Sequence, residues 1–253
     1  MSAIFHIAHP HASTTLTSSD VARCVDGVVA ATDDVFAGLR TMAAAMVEVW
    51  DGERRFSATD LAGLTPHIFE QLDRRMSFDS AGYVMSEPAL ADDLRHLEWW
   101  HRSPHHRFEE VVLAVEPGAP DCYDYYSMEW FLAAIIDRRR FASGPKIDLP
   151  CADVYIITFA YPVVTDGVVL GVSAADVALS RFESKVRPPL QRLPAPAVLV
   201  NSERRVITSN DPRWATGEKL RELPVADEPE WQMVVPVTDD LGWLLAVAAT
   251  SGH

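Results

Sequence analysis

The chain has 253 residues, 48% of them hydrophobic, so it can bury one large core or two smaller ones. Its formal charge of −14 repels a phosphate backbone, and no stripe of Lys or Arg offsets it, which excludes direct nucleic-acid recognition. Cys24, Cys122 and Cys151 do not form a disulfide framework, and the first residues lack the basic start and long apolar run of a secretory leader, so a cytoplasmic location is expected.

Residues 1–18 read as a loose N-terminus. From Ser19 onward Val21, Val25, Val28, Val35, Leu39, Met42, Met46 and Trp50 recur mostly at spacings of three and four, the stripe of one long amphipathic helix. Thr17, Ser18, Ser19 and Asp20 offer its N-cap. Asp26, Asp33, Asp34, Arg40 and Glu48 lie within it. Each such charge would cost ~2.5–3.5 kcal/mol inside a bilayer, so the helix is not a membrane span. Further helices are expected over 58–74 and 88–100, with a short strand over 80–85 between them. Beyond His106 the texture turns to strands: 108–115, stopped by Pro117-Gly118-Ala119-Pro120, then 154–164 and 168–177 around the hairpin dipeptide Asp166-Gly167. The last sixty or so residues repeat this pattern, with 196–201 facing 205–209 and 231–237 facing 243–248. Pro194 and Pro196 mark a boundary between a larger module, 19–193, and a smaller one, 194–253. The fold class expected is α+β, with two antiparallel sheets of unequal size along one long helix.

Behind the long helix four segments follow in order: Tyr123-Asp-Tyr-Tyr-Ser-Met-Glu-Trp130-Phe131, Gly144-Pro-Lys-Ile-Asp148, Ile157-Thr-Phe-Ala-Tyr-Pro-Val163, and Gly171-Val-Ser-Ala-Ala-Asp176-Val177. In this order and spacing the chain, from about residue 20, resembles the double-Cache (PAS-like) sensor domains of bacterial chemoreceptors and sensor kinases. The tail 195–248 resembles their smaller second module. The resemblance implies two PAS-like Cache modules with the ligand pocket in the larger. In amino-acid-binding members of that family the pocket uses a Tyr, an Arg-x-Trp-Tyr cluster, a later Tyr, and an Asp after the Gly-Val strand. Tyr123 takes the place of the first Tyr, Trp130 that of the Trp, and Asp176 that of the Asp that holds the ligand ammonium. Met128 stands where the Arg would be, Phe131 at the last Tyr of the cluster, and Lys146 at the later Tyr.

A free amino acid needs a cation for its carboxylate, and the Arg fork does this best because it pairs both oxygens. Met128 cannot. Lys146 could do so as a point charge, whereas an amine without a carboxylate suits Asp176, Trp130 and the tyrosines. Both readings stand at this level. So do plainer ones. Asp176 could cap a helix starting near Ala178. The aromatic cluster could be core, with one ring of Trp99 and Trp100 packed inside, and Lys146 could pair with Asp148 on the surface. His101, His105 and His106 do not suggest a metal, because Pro104 interrupts helical pairing, and His6, His9 and His11 lack Cys or carboxylate partners. No nucleophile elbow, phosphate loop or dinucleotide fingerprint appears, and no cofactor is expected. The expected function is non-enzymatic binding of an amine, amino-acid-like compound or other small metabolite. Signalling would pass through a separate partner such as a transcription regulator, with a homodimer along the long helix. The rivals are an enzyme using Asp176 or Asp148 as general base, and a dimerisation scaffold without ligand.

Overall fold

The computed structural model describes residues 16–50, 52, 55–74, 78–91, 95–105, 107–147 and 154–249. Helix α1 (Ser18–Val49) opens with a capping box, Thr17 and Asp20 each satisfying the other's backbone N–H. Its buried stripe includes Val21, Cys24, Val28, Val35, Leu39, Met42 and Met46. The helix expected over 58–74 is two, α2 (Ala58–Ala62) and α3 (Thr65–Arg74), because Gly63 caps the first.

Strands β1 (Ser80–Met85), β2 (Leu97–Arg102) and β3 (Phe108–Glu110) form half of a six-stranded sheet. Among the described residues of 88–100 no α-helix forms. A single 3-10 turn, Glu87–Ala89, follows β1, and β2 then pairs antiparallel with it. The open edge of β1 supplies backbone partners, and a pleated strand sends Trp99 and Trp100 to opposite faces, each into its own packing. The strand expected through Val115 ends at Glu110.

Helix α4 (Glu129–Ile135) leads into β4 (Phe141–Ile147), β5 (Tyr155–Thr165) and β6 (Val168–Ala178), then helix α5 (Leu179–Gln191). The β5–β6 turn is Asp166-Gly167, both at positive φ, as a two-residue hairpin turn requires. Strands β7 (Ala197–Val200), β8 (Val206–Ser209), β9 (Trp231–Thr238) and β10 (Trp243–Ala248) form a four-stranded sheet of order β8-β7-β10-β9. The architecture is α+β, with a larger and a smaller antiparallel sheet along one long helix.

One face of each sheet packs into a common core with α1 and α5. Phe36 on α1, Phe159 on β5, Phe182 on α5 and Trp243 on β10 run through it in ring-to-ring steps of 5.4, 5.8 and 5.6 Å. Tyr83 donates to the Met42 carbonyl and Ser173 to that of Leu39, both at 2.9 Å, pinning the middle of α1 onto β1 and β6. Among the described residues no helix is long and apolar enough to cross a membrane.

Arg140, just before β4, ties three parts together. It donates to Asp33 on α1 at 2.8 Å and to both carboxylate oxygens of Asp240 in the β9–β10 turn, and its guanidinium lies 4.6 Å over the Phe36 ring. Hydrogen bonding to Asp240 raises the Arg140 pKa. Burial works against ionisation of Asp240, but Arg140's hydrogen bonds and charge outweigh it and hold the carboxyl below its ordinary value. A carboxylate depressed in the folded state stabilises above its unfolded pKa, and that contribution is lost as pH falls through the folded pKa. Urea midpoints measured from neutral pH down through the carboxylate range should therefore fall less steeply for Asp240→Asn than for the wild type. Parallel curves would show that the pair contributes nothing to acid sensitivity.

Candidate functional site

The other face of the larger sheet looks away from α1, and the strand register assigns its residues. Directly opposed residues point to the same side, so Glu109, His101, Ser80, Asp176, Thr158 and Ser143 form one polar row across all six strands. The adjacent row on this face is apolar and small at its centre: Trp99, Gly82, Ala174, Ala160 and Phe141. Gly82 is required there, because a Cβ would lie 2.0 Å from the Glu98 carbonyl oxygen and 2.6 Å from the Trp99 ring. The small centre leaves depth for aromatic rings. Trp130 and Phe131 of α4, with Tyr125 from the turn before it, fill that depth in a cluster with Trp99, Phe141, Ala160, Val172 and Ala174.

The covering segment is short and held by side chains. Tyr125 is fully buried, and its hydroxyl accepts from the His96 N–H at 3.2 Å. Burial pushes its phenol well above the ordinary range. Tyr126 accepts from the Glu87 N–H at 2.9 Å, and Arg95 bonds Asp124 at 2.5 Å with its guanidinium 4.4 Å over the Tyr126 ring. Phe131 meets Tyr125 and Trp130 edge-on, at 5.0 and 5.8 Å. Trp130 is 3% exposed, and its indole N–H is buried without a hydrogen-bond partner. Asp176 is 7% exposed, accepting from Thr158 at 2.6 Å on one carboxylate oxygen and from Ser80 at 2.9 Å on the other.

No family model matches the chain, and no curated protein matches its sequence. Solved structures do match. The sensory domain of the Campylobacter jejuni chemoreceptor Tlp3 aligns over 96% of this chain and 98% of its own, at 12% identity and a TM-score of 0.60. The ligand-binding domain of the Pseudomonas fluorescens chemoreceptor CtaA, solved with L-valine, aligns over 93% and 96%, at 14% identity and a TM-score of 0.59. That of the Pseudomonas aeruginosa amino acid chemoreceptor PctC, solved with GABA, aligns over 89% and 96%, at 15% identity and 0.53. The extracellular domain of a putative histidine kinase aligns over 91% and 92%, at 16% and 0.54. The fold is that of a Cache-type sensory domain. The match spans nearly the whole length on both sides, so the Cache-type architecture holds for both sheets and α1 together.

Within this Cache fold the candidate residues separate clearly. Trp130, Phe131 and Asp176 are buried on the outer face. Tyr123 and Met128 are half-buried against the same aromatic cluster, and the Met128 carbonyl accepts the first N–H groups of α4 from Phe131 and Leu132. Lys146 stands opposite Ile156, which puts it on the outer face one row beyond Thr158. Asp148 lies outside the described residues. The capping alternative for Asp176 does not hold: α5 has no side-chain cap, and Asp79 instead accepts from the Ala178 N–H at 2.6 Å. Trp99 and Trp100 are on a strand, the first buried on the outer face and the second against Phe69 at 4.8 Å on the other. Two residues escaped the sequence reading, Ser80 and Thr158, which hold Asp176. Polar residues inside otherwise apolar strands were the local signal, but which carboxylate they serve is set by register.

Proposed function

We propose that the chain is a small-molecule sensor that binds an amine, an amino-acid-like compound or another small metabolite on the outer face of the larger sheet, without turning it over. The observation that carries the reading is the partnerless buried indole N–H of Trp130 on the face that also holds the buried carboxylate of Asp176. A buried donor left unsatisfied costs about 1–3 kcal/mol, which a ligand acceptor would recover. A cationic group would meet Asp176, with its bulk on the rings of Trp130 and Tyr123. A ligand carboxylate, in the absence of an Arg at position 128, would meet Lys146. Similarity to chemoreceptor domains solved with L-valine and GABA supports a ligand of this size and polarity. A ligand-driven shift of residues 123–131 would then move α1, or a homodimer contact along it, for a separate regulator to read.

The test is a thermal-shift screen against amino acids, GABA, polyamines and small carboxylates, on the wild type and Trp130→Phe. Ligand at ~100 times its dissociation constant should add about 2.7 kcal/mol of stability, a clear rise in melting temperature. Trp130→Phe keeps an aromatic ring but no donor, and its response to the same compound should shrink. If nothing in the screen shifts the wild type, the sensor reading fails.

A further inference from the structure

Lys146 owes its place on the outer face to a β-bulge. Ser143 opposes Thr158 and Lys146 opposes Ile156, so β4 advances three residues while β5 advances two. Gly144 and Pro145 together stand against Ile157. In an unbroken ladder Pro145 would oppose Ile156, and Lys146 would turn to the α1 side, away from Asp176. Only glycine fits the first bulge position: Gly144 has φ +113°, and a Cβ would lie 2.7 Å from the Ile156 carbonyl oxygen.

The smaller sheet holds this bulge. Asn201, 3% exposed just after β7, donates from Nδ2 to the Gly144 carbonyl at 2.7 Å. Its Oδ1 accepts from the Arg205 N–H at 2.8 Å, and its own N–H donates to the Arg205 carbonyl at 3.0 Å, so the turn before β8 fixes the amide from behind. The start of β4 is tied to the same sheet. Arg139 donates to the Asp240 carbonyl at 3.2 Å, and Arg140 bonds the Asp240 carboxylate. One edge strand of the larger sheet is thus pinned at two points by two turns of the smaller.

We propose that Asn201 is a positioning residue for the ligand site: through Gly144 it sets the bulge that turns Lys146 toward the Asp176 face. The smaller module thereby tunes what the larger one binds and, since coupling between sites is reciprocal, feels its occupancy. The inference rests on the reading of the outer face as the ligand site.

The chain has three lysines, Lys146, Lys185 and Lys219, so reductive dimethylation with 13C-formaldehyde gives few NMR signals, and Lys146→Arg assigns the one of interest. Asn201→Asp keeps the size and the acceptor for Arg205 but replaces the donor facing Gly144 with an oxygen. The Lys146 signal should move while that of Lys185 stays, and amide exchange along β4 should quicken roughly tenfold, as loss of a buried hydrogen bond implies. Asp240→Asn acts at the other pin, near the surface, and should move the Lys146 signal too if Asn201→Asp does not fold. An unmoved Lys146 signal in the folded variants would overturn the proposal and reduce Asn201 to a clasp on its own turn. The measurement needs no ligand. A silent thermal-shift screen would sink the ligand reading, leaving at most a structural coupling between Asn201 and Lys146, and an unmoved lysine would sink the coupling alone.

Discussion

Asp176→Asn is expected to abolish the thermal response to amine ligands while leaving the ligand-free protein about as stable as the wild type. The amide has the shape of the carboxylate, and it can still accept from Thr158 while its NH2 turns to Ser80. What it removes is the charge. A buried carboxylate is costly to keep from water, and the hydrogen bonds from Thr158 and Ser80 that offset that cost have counterparts in the amide, so the ligand-free fold should change little. Losing one partner of a buried charge pair costs about 2–5 kcal/mol, which is a rise of about 30-fold or more in Kd. Calorimetric titration with the best compound from the screen, beside a melting curve without ligand, separates the two effects. Unchanged affinity would remove Asp176 from the site. Lost affinity together with lower ligand-free stability would make it a structural residue instead.

Gly82→Ala is expected to cost about 4 kcal/mol or more, the range in which a substitution needs a specific lesion. Gly82 sits in the middle of β1, between β2 and β6. An alanine Cβ would lie 2.0 Å from a backbone oxygen of Glu98, which cannot move without opening the β1–β2 ladder. It would also displace Trp99 from the floor beneath α4, so the loss extends to the packing around Trp130. Urea denaturation of purified variant reads the cost, and accumulation in inclusion bodies is the same result in stronger form. A cost below about 1 kcal/mol would mean that the two strands separate more easily than their register implies.

The legible parts of this protein are those governed by short-range patterns. The stripe from Val21 to Met46 identified α1, and Asp166-Gly167 identified the β5–β6 hairpin. Over 88–100 the spaced leucines and two tryptophans suit a helix as well as the strand that forms at Leu97–Arg102. The deciding fact, an open edge on β1, lies outside the segment. Of the residues on the outer face, Trp130, Phe131 and Asp176 could be named one by one as candidates, but the partners of Asp176 could not. Ser80 lies 96 residues from it and Thr158 lies 18 away.

By itself, then, the sequence determined α1, the β5–β6 hairpin and the two strand pairs of the smaller sheet, because helical periodicity, capping and turn chemistry act within a few residues. Only the tertiary structure decided which side chains share the outer face. Facing in a sheet depends on register between distant strands, and one extra residue at Gly144-Pro145 is enough to move Lys146 from one side to the other.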